Sequence, residues 1–201
     1  MLTMIMGKSA TGKTTIVDRM TEKYGYKKVV TSTTRPRRPG EIDGKDYHFL
    51  TPEEFDTMES RNEFAENKAY HPASGGVWKY GSAIPNEYLS DNKKHLLIVT
   101  PAGVRDIKAY FGRDAEKIFT IYLKVPEEEL ERRLKVRGDD PKEAKRRIEA
   151  DRNDFKDAEK DADVIVENYG IYDSYSQIEQ TISEIKSAEQ RAFKLSSNSQ
   201  K

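Results

Sequence analysis

Cysteine is absent from the 201-residue chain. That excludes disulfides, thiolate nucleophiles and cysteine-based zinc sites. Histidine is scarce, and His48, His71 and His95 stand too far apart to form a ligand motif. No charge of one sign prevails either: 35 Lys and Arg offset 35 Asp and Glu. That balance argues against a protein that coats nucleic acid or an anionic membrane through bulk charge. The longest aliphatic run, Leu-Leu-Ile-Val at 96–99, is far short of a membrane span. The N-terminus lacks the charged-then-apolar order of a secretion signal. The expectation is a cytoplasmic protein with no nucleic-acid or membrane partner. Hydrophobic residues make up only 35% of the chain, but 11 Tyr and 7 Phe spread along it can build a core. The length suits one compact α/β domain with an inserted lobe.

The most specific local signal is Gly7-Lys8-Ser9-Ala10-Thr11-Gly12-Lys13-Thr14, which matches G-x-x-x-x-G-K-[ST]. An apolar run at 2–6 precedes it and a helical pattern at 14–24, beginning Thr14-Thr15, follows. That is the strand–loop–helix setting of a phosphate-binding loop. Gly7 and Gly12 are expected to take positive φ, so that successive backbone N–H groups point into one anion-sized hollow at a helix N-terminus. Lys13 is placed to reach the β- and γ-phosphates of a nucleoside triphosphate, and the Thr14 hydroxyl to join a Mg²⁺ shell.

Along the chain, short apolar strands at 2–6, 28–30, 96–100, 118–124 and 164–166 alternate with helical stretches at 14–24, 102–111, 127–137, 142–159 and 172–192. Continuous apolar strands separated by helices predict a parallel sheet covered on both faces. Pro126 followed by three glutamates marks a helix start, and Gly112 a helix stop. The segment 32–84 breaks the rhythm with turns, strand-like pieces at 47–50 and 76–81 and a short helix at 52–59. It predicts an inserted, mostly antiparallel lobe. The polar stretch 194–201 is expected to fray.

A second constellation lies in that lobe. Thr31-Ser32-Thr33-Thr34-Arg35-Pro36-Arg37-Arg38-Pro39-Gly40-Glu41 leads to Asp46-Tyr47-His48-Phe49, and then to Glu66 and Tyr80-Gly81-Ser82. Arginines in a turn stiffened by proline, together with tyrosine hydroxyls, can supply planar, charge-assisted donors to an anion. On these motifs the chain resembles the guanylate kinases, from about Met4 to Asn168. The resemblance implies a P-loop NTPase three-layer α/β fold with a parallel five-stranded sheet, an antiparallel lobe for the nucleoside monophosphate and a helical lid. The core would take 1–31 and 85–193, with the lid near 133–147. The lobe would take 32–84 and a flexible tail 194–201. The resemblance further implies that Arg35, Arg38, Glu41, Tyr47 and Tyr80 meet the acceptor, and that Thr31, Glu66 and Ser82 meet its base. A carboxylate at 66 can accept both guanine donors, which adenine lacks. Arg133 and Arg137 lie four apart on one helix face. With Arg147 they resemble the family's lid arginines and are candidates, beside Lys13, for clamping the transferring phosphoryl group. Arg146 is expected to face solvent. Asn168 matches the loop that lies against the adenine of ATP in relatives.

Two departures stand out. The family's I-L-D-I-D is replaced by Leu96-Leu97-Ile98-Val99-Thr100, so two acidic positions are lost. The stretch 71–78 is several residues longer than usual. The expected activity is ATP-dependent phosphorylation of GMP or dGMP by a monomer or homodimer. Alternatives are a kinase for another monophosphate or small phosphate ester, and a non-catalytic guanylate-kinase-like binding module.

Overall fold

The structure is a computed structural model that describes residues 1–71, 75–138, 140–168 and 175–198. Five strands, β1 (Leu2–Met6), β2 (Lys27–Lys28), β7 (His95–Ile98), β8 (Ile118–Lys124) and β9 (Val164–Glu167), form one sheet in the order β2-β7-β1-β8-β9, with every pair parallel. All of β1 is buried. Side-chain alternation splits the sheet's two faces. Leu2, Met4 and Met6 join Leu97, Ile118 and Tyr122 on the face covered by α3 (Pro101–Phe111), where Val104 and Ile107 meet them. Ile5 joins Leu96, Phe119, Ile121 and Leu123 on the other face. There α1 (Lys13–Tyr24) supplies Ile16, Val17 and Met20, and α6 (Tyr175–Asn198) supplies Ile182, Ile185 and Ala188. The result is three layers of helix, sheet and helix.

The lobe is a second, four-stranded sheet ordered β4-β3-β6-β5 from β3 (Ser32–Thr33), β4 (His48–Phe49), β5 (Glu66–Tyr70) and β6 (Trp78–Ser82). Its β3–β6 and β5–β6 pairs are antiparallel, and β3–β4 is parallel. Between the pairs, α2 (Pro52–Ser60) starts at a capping box in which Thr51 and Glu54 each accept the other's backbone N–H. Phe55 from α2 stacks on Phe64 at 4.4 Å, and a Cβ on Gly81 would fall 2.7 Å from the Phe64 ring. Gly81 therefore lets β6 press onto that pair.

Several boundaries move. β7 ends at Ile98, and Thr100 instead caps α3 through its hydroxyl, which accepts the Gly103 N–H. The segment expected to form a lid lies in α4 (Glu127–Val136) and α5 (Pro141–Asp154), joined through Gly138 at φ 81°, with 139 outside the described residues. After Asp154 the chain turns into a short 3-10 helix, Ala158–Asp161, where the sequence predicts one helix to 159. The expected fraying from 194 gives way to helix as far as Asn198. The long stretch at 71–78 and the helix start at 172 fall partly outside the described residues.

Candidate active site

The chain leaves β1 at Met6, loops, and enters α1 at Lys13. Gly12 has φ 89° and Ala10 has φ 62°. Left-handed backbone at these two positions shapes the loop, and Ala10 holds it against its own Cβ. The positive φ expected of Gly7 is not found. Gly7 is required for another reason: a Cβ there would lie 2.7 Å from the Thr11 hydroxyl and 2.8 Å from the Leu123 carbonyl of β8. The Lys13 ammonium donates to the Gly7 carbonyl at 2.7 Å and the Lys8 carbonyl at 2.9 Å. Burial pushes its pKa down to about 8, with the Asp151 carboxylate opposing and the Arg137 charge adding to the fall. Lys8 turns its own side chain outward toward Glu127, so its contribution to the hollow is backbone. Thr14 and Thr15 stand exposed in the first turn of α1.

Behind the loop lie two of the expected site residues. The fully buried Arg133 donates to Glu129 at 2.7 Å, to the Asn168 carbonyl at 3.1 Å and to the Ala10 carbonyl at 3.4 Å. Hydrogen bonds from Arg132 and Arg133 hold the Glu129 carboxyl at about 2, so it stays ionised opposite Arg133. Asn168, 1% exposed, donates its amide to the Thr11 carbonyl at 2.8 Å. Both residues brace the loop from the rear. Arg133, expected to clamp a phosphoryl group, and Asn168, expected near adenine, are not among the residues that line the cleft. Arg137 ends α4 near Lys13 but does not line the cleft.

A cleft of about 630 Å³ opens between the loop, the lobe and α5. Lys13 and Ser9 line its floor; Thr31, Arg38, Tyr47, Glu66 and Tyr80 line the lobe side; Arg146, Arg147 and Asp151 line the α5 side. Along the β5–β6 hairpin the cross-strand pairs Glu66–Ser82, Lys68–Tyr80 and Tyr70–Trp78 form a ladder. At its inner end the Ser82 hydroxyl donates to Glu66 at 2.6 Å. Burial raises the Glu66 pKa, the Ser82 bond opposes the rise and the Asp106 charge adds to it. Ser82 thus fixes the orientation of the Glu66 carboxylate. Ile98 and Thr100 form the adjoining wall, with no carboxylate between them.

Of the two expected phosphate arginines, only Arg38 lines the cleft. Arg35 is 4% exposed and donates to Glu41 at 2.6 Å and to the Pro36 carbonyl at 2.7 Å, with its guanidinium 5.5 Å from the Tyr47 ring. Glu41 also accepts the Arg38 N–H at 2.7 Å. Arg35 and Glu41 thereby fold the turn that presents Arg38. Arg146, expected to face solvent, instead lines the cleft and donates to the Tyr70 hydroxyl from the opposite wall. Sequence reasoning missed Lys68, Tyr70, Asp151 and Asp154 as cleft residues. Given β5 as a strand, alternation from Glu66 accounts for Lys68 and Tyr70, and helical spacing from Arg147 would have found Asp151.

The family model described as Guanylate kinase matches residues 1–185. The chain belongs to the guanylate kinase family. A guanylate kinase of Schizosaccharomyces pombe is 34% identical over 183 residues, which cover 88% of this chain and 87% of that one. A rice protein, guanylate kinase 2, chloroplastic/mitochondrial (Oryza sativa subsp. japonica), is 36% identical over 135 residues. That match spans 67% of this chain but only 46% of the longer rice protein. Among solved structures, the crystal structure of guanylate kinase from Anaplasma phagocytophilum superposes with a TM-score of 0.65 at 23% identity, covering 94% of this chain and 84% of that one. The last likeness bears on the fold alone, the three-layer α/β fold of the P-loop NTPases.

Proposed function

We propose that the protein transfers the γ-phosphoryl group of ATP to GMP or dGMP. One observation carries this reading: a single cleft joins the P-loop lysine Lys13 to Arg38, Tyr47, Tyr80 and the buried Glu66. Phosphoryl transfer needs in-line placement of two substrates and neutralisation of charge, not a protein nucleophile. Donor phosphates would take the backbone N–H groups of 7–14, and Lys13 would exchange its two loop carbonyls for β- and γ-oxygens. Arg38, Tyr47 and Tyr80 would hold the acceptor phosphate, and Glu66, steadied by Ser82, would accept guanine's ring N–H and amine. Arg147, in the wall of the cleft, and Arg137, near Lys13, are the lid arginines placed to meet charge on the transferring group. Closing the cleft would keep water from the phosphoryl group.

Mg²⁺ fits this donor set. It prefers oxygen ligands and keeps water, and the exposed Thr14 hydroxyl follows directly after Lys13. Among the described residues no group of three or more His, Cys, Asp or Glu could hold a metal. The ion would therefore be shared among Thr14, the donor phosphates and water, where it neutralises developing negative charge. We place the protein in the cytoplasm as a monomer or homodimer with nucleotides as its partners. Among the described residues no helix is long and apolar enough to cross a membrane. The intact Lys13 and Thr14 favour an enzyme over a binding module.

The absence of carboxylates at Ile98 and Thr100 favours, as a second reading, a relaxed or different acceptor. Coupled turnover with GMP, dGMP, AMP, CMP, UMP and dTMP separates the two. Glu66→Gln presents an amide N–H to a guanine donor, a mismatch of about 1–3 kcal/mol, so the GMP/AMP ratio of kcat/KM should fall roughly ten- to a hundredfold. A wild type with no guanine preference supports the second reading; a preference untouched by the substitution places base choice elsewhere.

A further inference from the structure

Helix α5 carries more than arginines into the cleft. Asp151, four residues after Arg147, accepts the Ser9 backbone N–H at 2.6 Å, and its charge supports the Lys13 ammonium. Two contacts to the lobe flank it. Arg146 donates to the Tyr70 hydroxyl, with its guanidinium 5.4 Å from the Tyr70 ring. Asp154 accepts from the Lys68 ammonium at 3.3 Å. These contacts hold the middle of α5 across the cleft, with one carboxylate oxygen at the mouth of the phosphate loop. A backbone N–H of such a loop and a nearby ammonium are what an anionic phosphate oxygen seeks. An aspartate oxygen has the same charge character and hydrogen-bonding capacity.

This inference rests on the reading of 7–14 as the donor-phosphate site. We propose that Asp151 is a built-in phosphate surrogate, which occupies the Ser9 donor while the cleft is empty and must be displaced by the donor's phosphate chain. Asp151 is then a positioning residue of the empty enzyme and a restraint on its donor affinity. Apparent affinity is reduced by the fraction of molecules in which the site is already taken. The contact also keeps the loop and its lysine organised between turnovers.

Titration calorimetry with two phosphate probes, a non-hydrolysable ATP analogue and inorganic tripolyphosphate, tests the idea. Asp151→Ala removes the competitor and should tighten both probes about tenfold, the worth of one charge-assisted hydrogen bond. Asp151→Asn keeps an acceptor oxygen without its charge and should fall between wild type and Asp151→Ala. GMP titrated alone should bind all three proteins within about twofold, because the competition concerns the donor loop. Unchanged or weakened probe binding in Asp151→Ala overturns the proposal. So does an equal gain for GMP, which would mark a general restraint on the lid rather than a surrogate. If Asp151→Ala fails to fold, Asp151→Asn carries the same test. A wild type that binds neither probe refutes the donor-site reading itself, whereas probes that bind wild type and Asp151→Ala alike refute only the role of Asp151.

Discussion

The Lys13 ammonium lies on two carbonyls of its own loop, with a pKa brought down to about 8 by burial. The unfolded chain binds this proton up to about 10.5, so between about pH 8 and 10.5 the unfolded state holds more protons and stability rises with pH. A bound triphosphate acts the opposite way, since its negative charge returns the ammonium toward its ordinary value. Donor binding near about pH 9 should therefore take up a proton, and near about pH 7 it should not. Calorimetry in buffers of different ionisation enthalpy measures this, and a heat near about pH 9 that does not change with the buffer's ionisation enthalpy would contradict it. Lys13→Ala should abolish the uptake and lower kcat by well over tenfold, or at least about 1.4 kcal/mol of barrier. At this scale the sequence was legible where function is local. Lys13 and Thr14 follow from one motif, whereas the division of labour between Arg35 and Arg38 depends on Glu41 and on the rings of Tyr47 and Phe49.

The elements meet at close approaches that leave little slack. Gly7 is one, since a methyl group there would meet the Leu123 carbonyl of β8, a backbone atom held in the sheet, at 2.8 Å. Gly7→Ala must push the loop away from β8. It should cost roughly 1–3 kcal/mol, as overpacking does, and weaken donor binding more than acceptor binding. Thermal melts combined with separate titrations of the ATP analogue and GMP would check this; equal weakening of both ligands would show that the loop had not moved selectively. Strands β1 and β8 were readable as continuous apolar runs because both of their faces are covered. β5 was not, since Glu-Asn-Lys-Ala-Tyr carries no apolar alternation and is held by its partner β6 and by the cleft it lines.

The whole molecule closes on itself through Glu189. This carboxylate, 1% exposed on α6, accepts from the Thr3 hydroxyl of β1 at 2.8 Å, from the Tyr26 hydroxyl beside β2 and from Lys94 before β7 at 3.3 Å. The C-terminal helix is thus bonded to residues at or near the three adjacent strands that carry the phosphate loop and the cleft wall. Burial and the Glu189 bond raise the Tyr26 phenol well above its ordinary range, so the phenol keeps its proton through neutral pH. Glu189→Ala leaves two buried hydroxyls without their acceptor and one ammonium without its counter-charge. Breaking such a network costs about 3–5 kcal/mol. For a domain of this length that amounts to a fall in Tm of roughly 10 °C. Circular dichroism melts measure it, and a fall under about 3 °C would show that the cluster does not hold α6.

By itself the sequence determined the α/β fold class and the phosphate-loop motif, because both are written in residues a few positions apart; the resemblance to the guanylate kinases singled out Glu66, Arg38, Tyr47 and Tyr80, which line one cleft. Tertiary structure alone decided which of the arginines face the cleft. Arg133 and Arg35 are drawn into buried pairs with Glu129 and Glu41, while Arg146 is turned inward by Tyr70. It also decided that Asp151, 142 residues distant in sequence, lies at the Ser9 N–H. The physical reason is common to all of these. An arginine or aspartate is compatible with water, a salt bridge or a ligand on local grounds. The choice among them is made by the desolvation and opposite charge that only distant segments supply when they pack.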